Sequence, residues 1–248
     1  KAFLAQSPQL YKEELVMSFE KVFEIGPFFR AEESHTGLHL SEFVSIDIEQ
    51  AFAKAEDVMQ LLERMIQHVC KVVNEKCKEE LSTLRHSIEV PEVPFKRLRY
   101  KDVLHDLKRE GIEIPWGEDI STPAFRKLGE IHPYFYFIVN WPTRLKAFYI
   151  KPNDDNPEVC EGFDLMWRWI ELVSGGTRIA SKELLEKRLK EQHLNPKIFK
   201  YHLQAFDYGM PPHAGWAIGL GRLTMMLTGK KNIREVTLYP RDKFRLTP

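Results

Sequence analysis

In two stretches near the start of the chain, apolar residues recur at every second position, as they do along one face of a β-strand. In residues 22–32, Phe23 and Ile25 point to one side while the positions between them point to the other. Residues 39–51 repeat the alternation, and the polar residues 33–37 between the two stretches predict an antiparallel hairpin. One face of this hairpin is apolar and is expected to meet the core. The opposite face carries Arg30, Glu32, Phe43, Asp47 and Glu49.

Helical spacing dominates after the hairpin. Apolar residues from Val58 to Val73 recur at helical intervals and predict one long helix over residues 56–80. Shorter helices are predicted over residues 101–110, 121–128, 182–192, 196–208 and 220–227, with Ser121 as an N-cap. Strand-like runs cover residues 1–6, 135–139, 148–150, 163–172 and 215–219. Since strands and helices do not alternate as βαβ units, the predicted fold class is α+β, with a mixed, mostly antiparallel sheet flanked by helices.

Composition narrows the functional classes. The 248 residues fit one large domain, and 43% hydrophobic residues are enough for a sizeable core. Lys plus Arg equals Asp plus Glu at 36 each, which does not favour a general nucleic-acid coat but permits a local basic groove. Three cysteines without metal-ligand spacing indicate reduced thiols and a cytoplasmic protein. No apolar run is long enough to span a bilayer and no signal peptide is visible, so no membrane association is expected.

The first segment with candidate chemistry is residues 6–12, QSPQLYK. Its Lys12 is a candidate partner for an anionic substrate, because a carboxylate stabilises a buried cation. A neutral amide would leave that cation unpaired, at a cost of about 1–3 kcal/mol. The alternative is a lysine on the solvated surface of a helix.

The second segment comprises residues 29–33, FRAEE, and residues 39–43, HLSEF, on the two sides of the hairpin loop. Arg30, Glu32 and Phe43 fall on the face away from the core, where a ligand can reach them. The alternative is a solvent-facing sheet surface laced with salt bridges. Further along, Asp47 and Glu49 are candidate metal or network carboxylates, and a structural ion pair is the alternative for Glu49.

The third and fourth segments lie in the second half of the chain. Residues 171–178, ELVSGGTR, place Glu171 and Ser174 as hard oxygen ligands for Mg²⁺ and Arg178 as a planar fork for a carboxylate, although an ordinary tight turn is the alternative. Residues 215–223, GWAIGLGRL, read as a glycine-rich strand that leads into a helix near Arg222. The chain has neither a GxGxxG after its first strand nor a GK[ST] motif, so it is not a dinucleotide or P-loop site.

Together, the four segments resemble class II aminoacyl-tRNA synthetases, and in particular the aspartyl branch of archaeal and eukaryotic type. The resemblance runs from Phe3 to the C-terminus. It implies an enzyme, an aspartate–tRNA ligase, that uses ATP and Mg²⁺ to convert L-aspartate into aspartyl-adenylate and transfers the aspartyl group to the 3′ end of tRNA(Asp). Lys12 favours aspartate, because asparaginyl members usually carry an apolar residue there.

The resemblance also implies roles for individual residues. The expected catalytic residues are Arg30 and Arg222, and the expected Mg²⁺ ligands are Glu171 and Ser174. The glutamate of the hairpin reads the adenine amino group in the family, the phenylalanine stacks on adenine, and the histidine touches the γ-phosphate. The expected ATP-binding residues are Arg30, Glu32, Leu38, His39, Leu40, Phe43, Glu171, Gly219, Leu220, Gly221 and Arg222. The expected aspartate-binding residues are Gln9, Leu10, Tyr11, Lys12, Arg30, Ser174 and Arg178.

Three positions depart from the family pattern. Leu38 stands where an arginine often precedes the histidine, and Ala180 stands where a histidine commonly follows the counterpart of Arg178. Gly221 replaces the glutamate that many members have before the arginine. None of the three removes an expected catalytic group, but together they are compatible with a lowered activity.

Residues 1–248 are expected to be the catalytic domain of a longer protein. The family has an N-terminal OB-type barrel that reads the anticodon and a motif 1 that builds the dimer, and this sequence contains neither. The full-length protein is therefore expected to be a homodimer, and the match at the C-terminus implies a natural end. Whether tRNA(Asn) is also a substrate stays open. The alternatives are an asparaginyl enzyme or an asparagine-forming paralogue on the same fold, and a non-catalytic synthetase-like binding module.

Overall fold

A sheet of seven strands runs through the computed structural model, which describes residues 2–32 and 36–247. The strands are β1 (Lys21–Phe29), β2 (Glu42–Ala51), β3 (Lys96–Arg99), β4 (Phe135–Val139), β5 (Gly162–Trp167), β6 (Ile170–Thr177) and β7 (His213–Gly219). Their order is β1-β2-β7-β6-β5-β4-β3, with β3 and β4 parallel and the other neighbours antiparallel. The predicted α+β class is confirmed. Part of the predicted hairpin loop, residues 33–35, lies outside the described residues.

Eight α-helices flank the sheet in the described part of the chain. They are α1 (Gln9–Phe19), α2 (Ala55–Lys76), α3 (Lys78–Leu84), α4 (Tyr100–Arg109), α5 (Thr122–Ile131), α6 (Lys182–Glu191), α7 (Lys200–Phe206) and α8 (Leu220–Thr228). Short 3₁₀ turns occur at Thr143–Leu145, Pro196–Phe199 and Ile233–Glu235. Among residues 2–32 and 36–247, no helix combines the length and the apolar character needed to cross a membrane.

The largest apolar core lies between α2 and the centre of the sheet. The helix α2 buries Val58, Leu62 and Ile66 on one stripe, which is the amphipathic pattern that the sequence predicts. These side chains meet the inner strands β6 and β7. Trp216 on β7 is buried, and its indole Nε1 donates a hydrogen bond to the Val58 carbonyl at 3.1 Å. The central strands are therefore held rigidly from one side, and their other face is left for a site.

One predicted strand, residues 163–172, is wrong, because the chain reverses in its middle. Strands β5 and β6 form a hairpin that turns at Arg168, whose φ of 56° is left-handed. The turn at Arg168 and Trp169 contains no glycine, proline or asparagine, which are the residues that usually favour such a reversal, so it could not be predicted from the sequence. As a consequence, Asp164 and Ser174 become cross-strand neighbours.

Four other predicted elements differ from the structure. The predicted helix over residues 56–80 is interrupted at Cys77, where φ is −117° and ψ is 39°. The predicted helix over residues 196–208 is a 3₁₀ turn followed by the short α7. Residues 148–150 form no strand; Phe148 and Tyr149 pack against the apolar cluster of α6 and α7 instead. Residues 2–6 are irregular, although the Ala5 carbonyl accepts a hydrogen bond from the Phe29 amide at 2.9 Å.

Helix α1 was not predicted because it turns polar side chains inward. Its buried residues are Gln9, Lys12, Glu13 and Val16. An apolar stripe is the signal that sequence periodicity detects, and this helix lacks one on its inner face. The helix covers the hairpin face that carries Asp47 and Glu49, so those two residues are buried rather than solvent-facing.

The prediction that the other hairpin face is entirely core is wrong for β1. Phe23 is 75% exposed and Ile25 is 59% exposed, whereas Ile46 and Ile48 on β2 pack against the main core. Strand β1 is the edge of the sheet, and α2 and the main core lie over the inner strands. An apolar face on an edge strand is typical of a surface that a partner covers.

Two serines at helix starts give a matched test of local stability. Ser181 precedes α6, and its Oγ accepts a hydrogen bond from the Leu184 amide at 3.3 Å. Ser121 precedes α5 at the same position but makes no capping hydrogen bond within the described residues. We expect Ser181→Ala to lower the free energy of unfolding by about 1 kcal/mol and Ser121→Ala to lower it clearly less. Urea denaturation measures both, and equal losses would contradict the assignment.

Candidate active site

A cavity of about 310 Å³ opens over the sheet face opposite α2. Sheet register places Asp47, Ala217, Ser174 and Asp164 in one row across β2, β7, β6 and β5. The cavity brings together most of the residues expected to bind ligand, from all four sequence segments. Those that line it are Gln9, Arg30, Glu32, Leu38, His39, Leu40, Phe43, Glu171, Ser174, Arg178, Gly219, Gly221 and Arg222.

Four expected site residues do not line this cavity. Leu10 and Tyr11 lie on α1, and Tyr11 is 67% exposed. Leu220 is at the start of α8 and is also partly exposed. Lys12 is only 3% exposed but lies behind the cavity wall, so the alternative of a solvated helix lysine does not hold.

One end of the cavity is built from the hairpin. Arg30 follows β1, and its guanidinium lies over the Phe43 ring at 5.0 Å from the ring centroid. Its Nε donates a hydrogen bond to the Gln6 carbonyl at 3.2 Å. Phe28 on the same face is buried and lies 6.5 Å from Phe43, centroid to centroid. The arrangement presents an aromatic face and a cation side by side, as a nucleoside phosphate requires.

Positive charge gathers where α8 begins. Arg222 lies in the first turn of α8, and its guanidinium donates a hydrogen bond to the Glu171 carbonyl at 2.7 Å. His39 is close enough to interact electrostatically with Arg222. Partial burial lowers the pKa of His39, the positive charge of Arg222 lowers it further, and Glu32 opposes them. His39 is therefore held mainly neutral at pH 7, next to a fixed cation.

Of two neighbouring acidic groups, Glu171 lines the cavity and the buried Asp164 lies behind its wall. Burial raises the pKa of Glu171, and the negative charge of Asp164 raises it further, against the attraction of Arg222 and Lys146. The Lys146 ammonium contacts the Asp164 carboxylate at 2.5 Å. Asp164 Oδ1 is buried and has no hydrogen-bond partner among the described residues. Asp164 and Lys146 were missed by the sequence interpretation, although an aspartate inside an otherwise apolar strand is itself a signal.

These acidic groups could bind a divalent cation only if a bound ligand supplied further oxygen atoms to its coordination shell. Glu171, Ser174 and Asp164 offer the hard oxygen atoms that Mg²⁺ prefers. No cluster of three or more His, Cys, Asp or Glu side chains within residues 2–32 and 36–247 is arranged to hold a metal ion. Mg²⁺ commonly takes one or two protein carboxylates and completes its shell with phosphate oxygens and water. The orphaned Asp164 oxygen is consistent with such a site.

A buried ion network forms the other end of the cavity. The Lys12 ammonium lies 3.2 Å from Asp47 Oδ1 and 3.4 Å from Glu49 Oε2. Arg178 Nε donates to Glu49 Oε1 at 2.9 Å, and its Nη2 donates to Glu49 Oε2 at 3.3 Å. Glu49 is therefore a buried ion-pair partner, which was the structural alternative. Gly215 is needed here, because a Cβ at that position would collide with the Glu49 carboxylate.

The three departures from the family pattern have structural correlates. Leu38 lines the cavity and packs against the main core, and Ala180 packs within the apolar cluster of α6 and α7. At Gly221 a Cβ would lie 2.9 Å from Ile233 Cδ1, so a larger residue requires Ile233 to move. Leu38 and Ala180 are therefore packed in apolar surroundings, and Gly221 leaves room for Ile233.

The chain is similar over its whole length to a known protein family and to known proteins. A family model described as tRNA synthetases class II (D, K and N) matches residues 1–243. An aspartate–tRNA(Asp/Asn) ligase of Archaeoglobus fulgidus is 51% identical over 248 residues, which are 100% of this chain and 58% of that protein. An aspartate–tRNA(Asp) ligase of Thermoplasma volcanium is 49% identical over 249 residues, again 100% of this chain and 58% of that protein. The chain thus spans little more than half the length of these relatives.

Solved structures give the same picture of the fold. An aspartyl tRNA synthetase from Entamoeba histolytica superposes with a TM-score of 0.93 at 38% identity, covering 99% of this chain and 53% of that chain. An asparaginyl-tRNA synthetase from Pyrococcus horikoshii, solved with asparaginyl-adenylate, superposes with a TM-score of 0.94 at 31% identity. It covers 100% of this chain and 58% of that chain. Structural similarity alone therefore does not separate aspartate from asparagine.

The buried network predicts a large cost for removing one of its charges. We expect Glu49→Gln to lower the free energy of unfolding by about 3 kcal/mol, because Arg178 loses its buried carboxylate. Glu42→Gln is the matched control: it lies on the same strand but is exposed, and we expect a change of at most about 0.5 kcal/mol. Denaturant unfolding at pH 7 measures both. Comparable small losses in the two variants would show that the network is not what stabilises this region.

Proposed function

Because this chain belongs to the class II tRNA synthetases of the D, K and N group, we propose that it is the catalytic part of an aspartate–tRNA ligase. The observation that carries the proposal is one cavity with two chemically different ends. Arg30, Phe43 and Arg222 at one end suit ATP, while Gln9 and Arg178 at the other suit an amino acid with a second carboxylate. The names of the relatives support aspartate as that amino acid.

The proposed reaction has two steps. The α-carboxylate of aspartate attacks the α-phosphorus of ATP, and pyrophosphate leaves. A hydroxyl of the 3′-terminal ribose of tRNA(Asp) then attacks the aspartyl carbonyl, and AMP leaves. No side chain acts as a nucleophile, so catalysis depends on positioning and on stabilisation of charge.

Each end of the cavity has a defined task in this proposal. Arg30 binds the α-phosphate and the aspartate carboxylate, and Glu32 and Phe43 hold adenine by its amino group and its ring face. Arg222 and His39 hold the departing pyrophosphate. Glu171 and Ser174, with Asp164 beside them, would hold Mg²⁺, which supplies charge neutralisation at the phosphates when bound.

Selection for aspartate is assigned to the buried network. Arg178 is the network cation that lines the cavity, and it is fixed in place by both oxygens of Glu49. Lys12 adds a second positive charge directly behind Asp47. The aspartate side chain would then accept hydrogen bonds from the fixed guanidinium of Arg178, whereas the amide of an asparagine side chain would bring its own N–H donors to that guanidinium.

Assembly and location are also part of the proposal. The exposed apolar face of β1, with Phe23 and Ile25, is extended by Phe19 at the end of α1. A second copy of the chain is the proposed partner, since the sheet edge and this face lie together and a dimer would cover both. Given that the relatives are longer, the complete protein is proposed to carry an anticodon-reading domain that decides between tRNA(Asp) alone and both tRNA(Asp) and tRNA(Asn). The three free cysteines support a reducing, cytoplasmic compartment.

The amino-acid assignment predicts the result of an ATP–pyrophosphate exchange assay. We expect exchange with L-aspartate and not with L-asparagine, and we expect Arg222→Ala to reduce the aspartate-dependent rate at least about 100-fold. Arg126→Ala is the matched control, because Arg126 is exposed on α5 and stacks on Trp169 away from the cavity. Exchange with asparagine only would refute the assignment to aspartate. A normal rate in Arg222→Ala would show that the phosphate end has been misplaced.

The lowered pKa of His39 predicts a pH dependence of ATP binding. In the free protein His39 loses its proton below its ordinary pKa of about 6.5, whereas a bound phosphate favours the protonated form. Binding then takes up a proton, so we expect the KM for ATP to rise as the pH increases from about 5.5 to 7.5. His39→Gln should flatten this dependence, while His105→Gln, an exposed histidine on α4, should leave it unchanged. Identical profiles in all three proteins would contradict a phosphate contact by His39.

A further inference from the structure

Helix α1 buries a carboxylate that the proposed reaction does not use. Glu13 is fully buried one helical turn after Gln9. Its Oε1 accepts a hydrogen bond from the Gln9 side-chain Nε2 at 2.6 Å. Its Oε2 lies 3.5 Å from His202 Nε2 and 3.7 Å from His213 Nε2. These three atoms have no hydrogen-bond partner within the described residues, so they face one another in an enclosed space.

The other ring nitrogen of each histidine determines its tautomer. His213 Nδ1 lies 2.8 Å from the Pro211 carbonyl oxygen, which can only accept. His202 Nδ1 lies 3.2 Å from Glu14 Oε1, which also accepts when ionised. Both Nδ1 atoms therefore carry hydrogen, and any proton on Nε2 makes an imidazolium that faces Glu13.

The charges of this cluster favour an ionised Glu13. Burial alone would raise the pKa of Glu13, but His202 and His213 outweigh burial and lower it well below its usual range. Burial alone would lower the pKa of His202, and Glu13 and Glu14 outweigh it and raise the pKa. The ionised carboxylate has Gln9 on one side and two histidines on the other.

This arrangement decides which way the Gln9 carboxamide points. Gln9 Nε2 lies 2.6 Å from Glu13 Oε1 and 3.5 Å from Glu49 Oε2, so the two N–H groups of the amide face two carboxylates. An amide oxygen turned toward them would be repelled by both. The Gln9 carbonyl oxygen is therefore turned away from the carboxylates, and Gln9 itself lines the cavity. A carbonyl oxygen at a cavity wall accepts hydrogen bonds from an ammonium group.

We propose that Glu13, supported by His202 and His213, is a positioning residue that fixes the Gln9 carbonyl toward the α-ammonium group of the amino-acid substrate. The proposal rests on the proposed function, because it takes the cavity to bind aspartate. In this proposal Glu13, which lies outside the cavity, enables the site to distinguish an amino acid from a dicarboxylate that lacks the ammonium group.

The experiment compares two ligands that differ by that group. L-Aspartate is followed by its KM in pyrophosphate exchange, and succinate, which has both carboxylates but no ammonium, is followed by its inhibition constant. We expect Glu13→Gln to raise the KM for aspartate about tenfold, because the neutral side chain no longer forces one orientation on Gln9. The inhibition constant of succinate and the KM for ATP should each change less than about twofold. Glu20→Gln is the matched control, since Glu20 is exposed just after the end of α1, and the KM of this variant for aspartate should stay near wild type.

A double-mutant cycle separates positioning from general support of the structure. In a Gln9→Met background the carbonyl is gone, so adding Glu13→Gln should raise the KM for aspartate no further. Equal weakening of aspartate and succinate by Glu13→Gln, or an undiminished effect of Glu13→Gln in the Gln9→Met background, would overturn the positioning role. Absence of aspartate-dependent exchange in the wild type would overturn the proposed function and this inference with it.

The wild-type protein provides a test that does not depend on the folding of a variant. The side-chain amide signal of Gln9 in a ¹⁵N–¹H spectrum is assigned through sequential triple-resonance spectra of the wild-type protein labelled with ¹³C and ¹⁵N. A bond to an ionised carboxylate should shift this signal downfield of exposed glutamines and protect it from exchange with solvent. A signal with the shift and exchange rate of an exposed glutamine would overturn the proposal.

Discussion

The proposed amino-acid end of the cavity depends on a connected network of buried ions. Lys12 on α1 and Arg178 after β6 are cations, and Asp47 and Glu49 on β2 are the anions that pair with them. Each charge would cost several kcal/mol if buried alone, so each requires the others. The network therefore holds α1 against the sheet, and the same ion pairs fix the position of Arg178 in the cavity wall. It also explains why a helix with polar residues on its inner face is stable at this position.

The network changes how specificity for an acidic amino acid is understood. From the sequence, Lys12 is a single cation that waits for an anionic substrate. In the structure the charges of Lys12 and Arg178 are already balanced by the carboxylates of Asp47 and Glu49. A site built in this way distinguishes ligands through fixed geometry more than through an unpaired cation, because its dipoles and charges are oriented before binding. The Glu13 cluster follows the same design, since it orients Gln9 without contacting the cavity.

Local patterns in the sequence predicted the class of fold, and the resemblance of four segments to the synthetase family predicted most cavity residues. Alternation in residues 22–32 and 39–51 identified the hairpin, and the glycine-rich strand before Arg222 identified the start of α8. The parts that were missed depend on tertiary contacts. Helix α1 was missed because its buried face is mostly polar and so gives no apolar stripe. The reversal at Arg168 was missed because it contains no residue type that usually forms turns. Asp164 joins the site only through that reversal, which brings β5 beside β6. The exposed face of β1 resembles core in sequence, because an apolar residue looks the same whether its own chain or a partner covers it.

The phosphate end is built on a different principle, in which apolar packing replaces a charge. Leu38 stands where the family often has an arginine, and it packs against the main core. The adjoining backbone is fastened to the C-terminal part of the chain: the Ile233 amide donates to the Gly37 carbonyl at 2.8 Å, and Arg234 donates to the Thr36 carbonyl at 2.9 Å. These contacts hold the backbone that leads to His39 against the C-terminal part of the chain. An arginine at position 38 would have a long charged side chain that can contact a phosphate. Leu38 cannot make that contact, and it packs the loop against the core instead. If a polyphosphate binds here as proposed, its binding depends on Arg222 and on the protonation of His39.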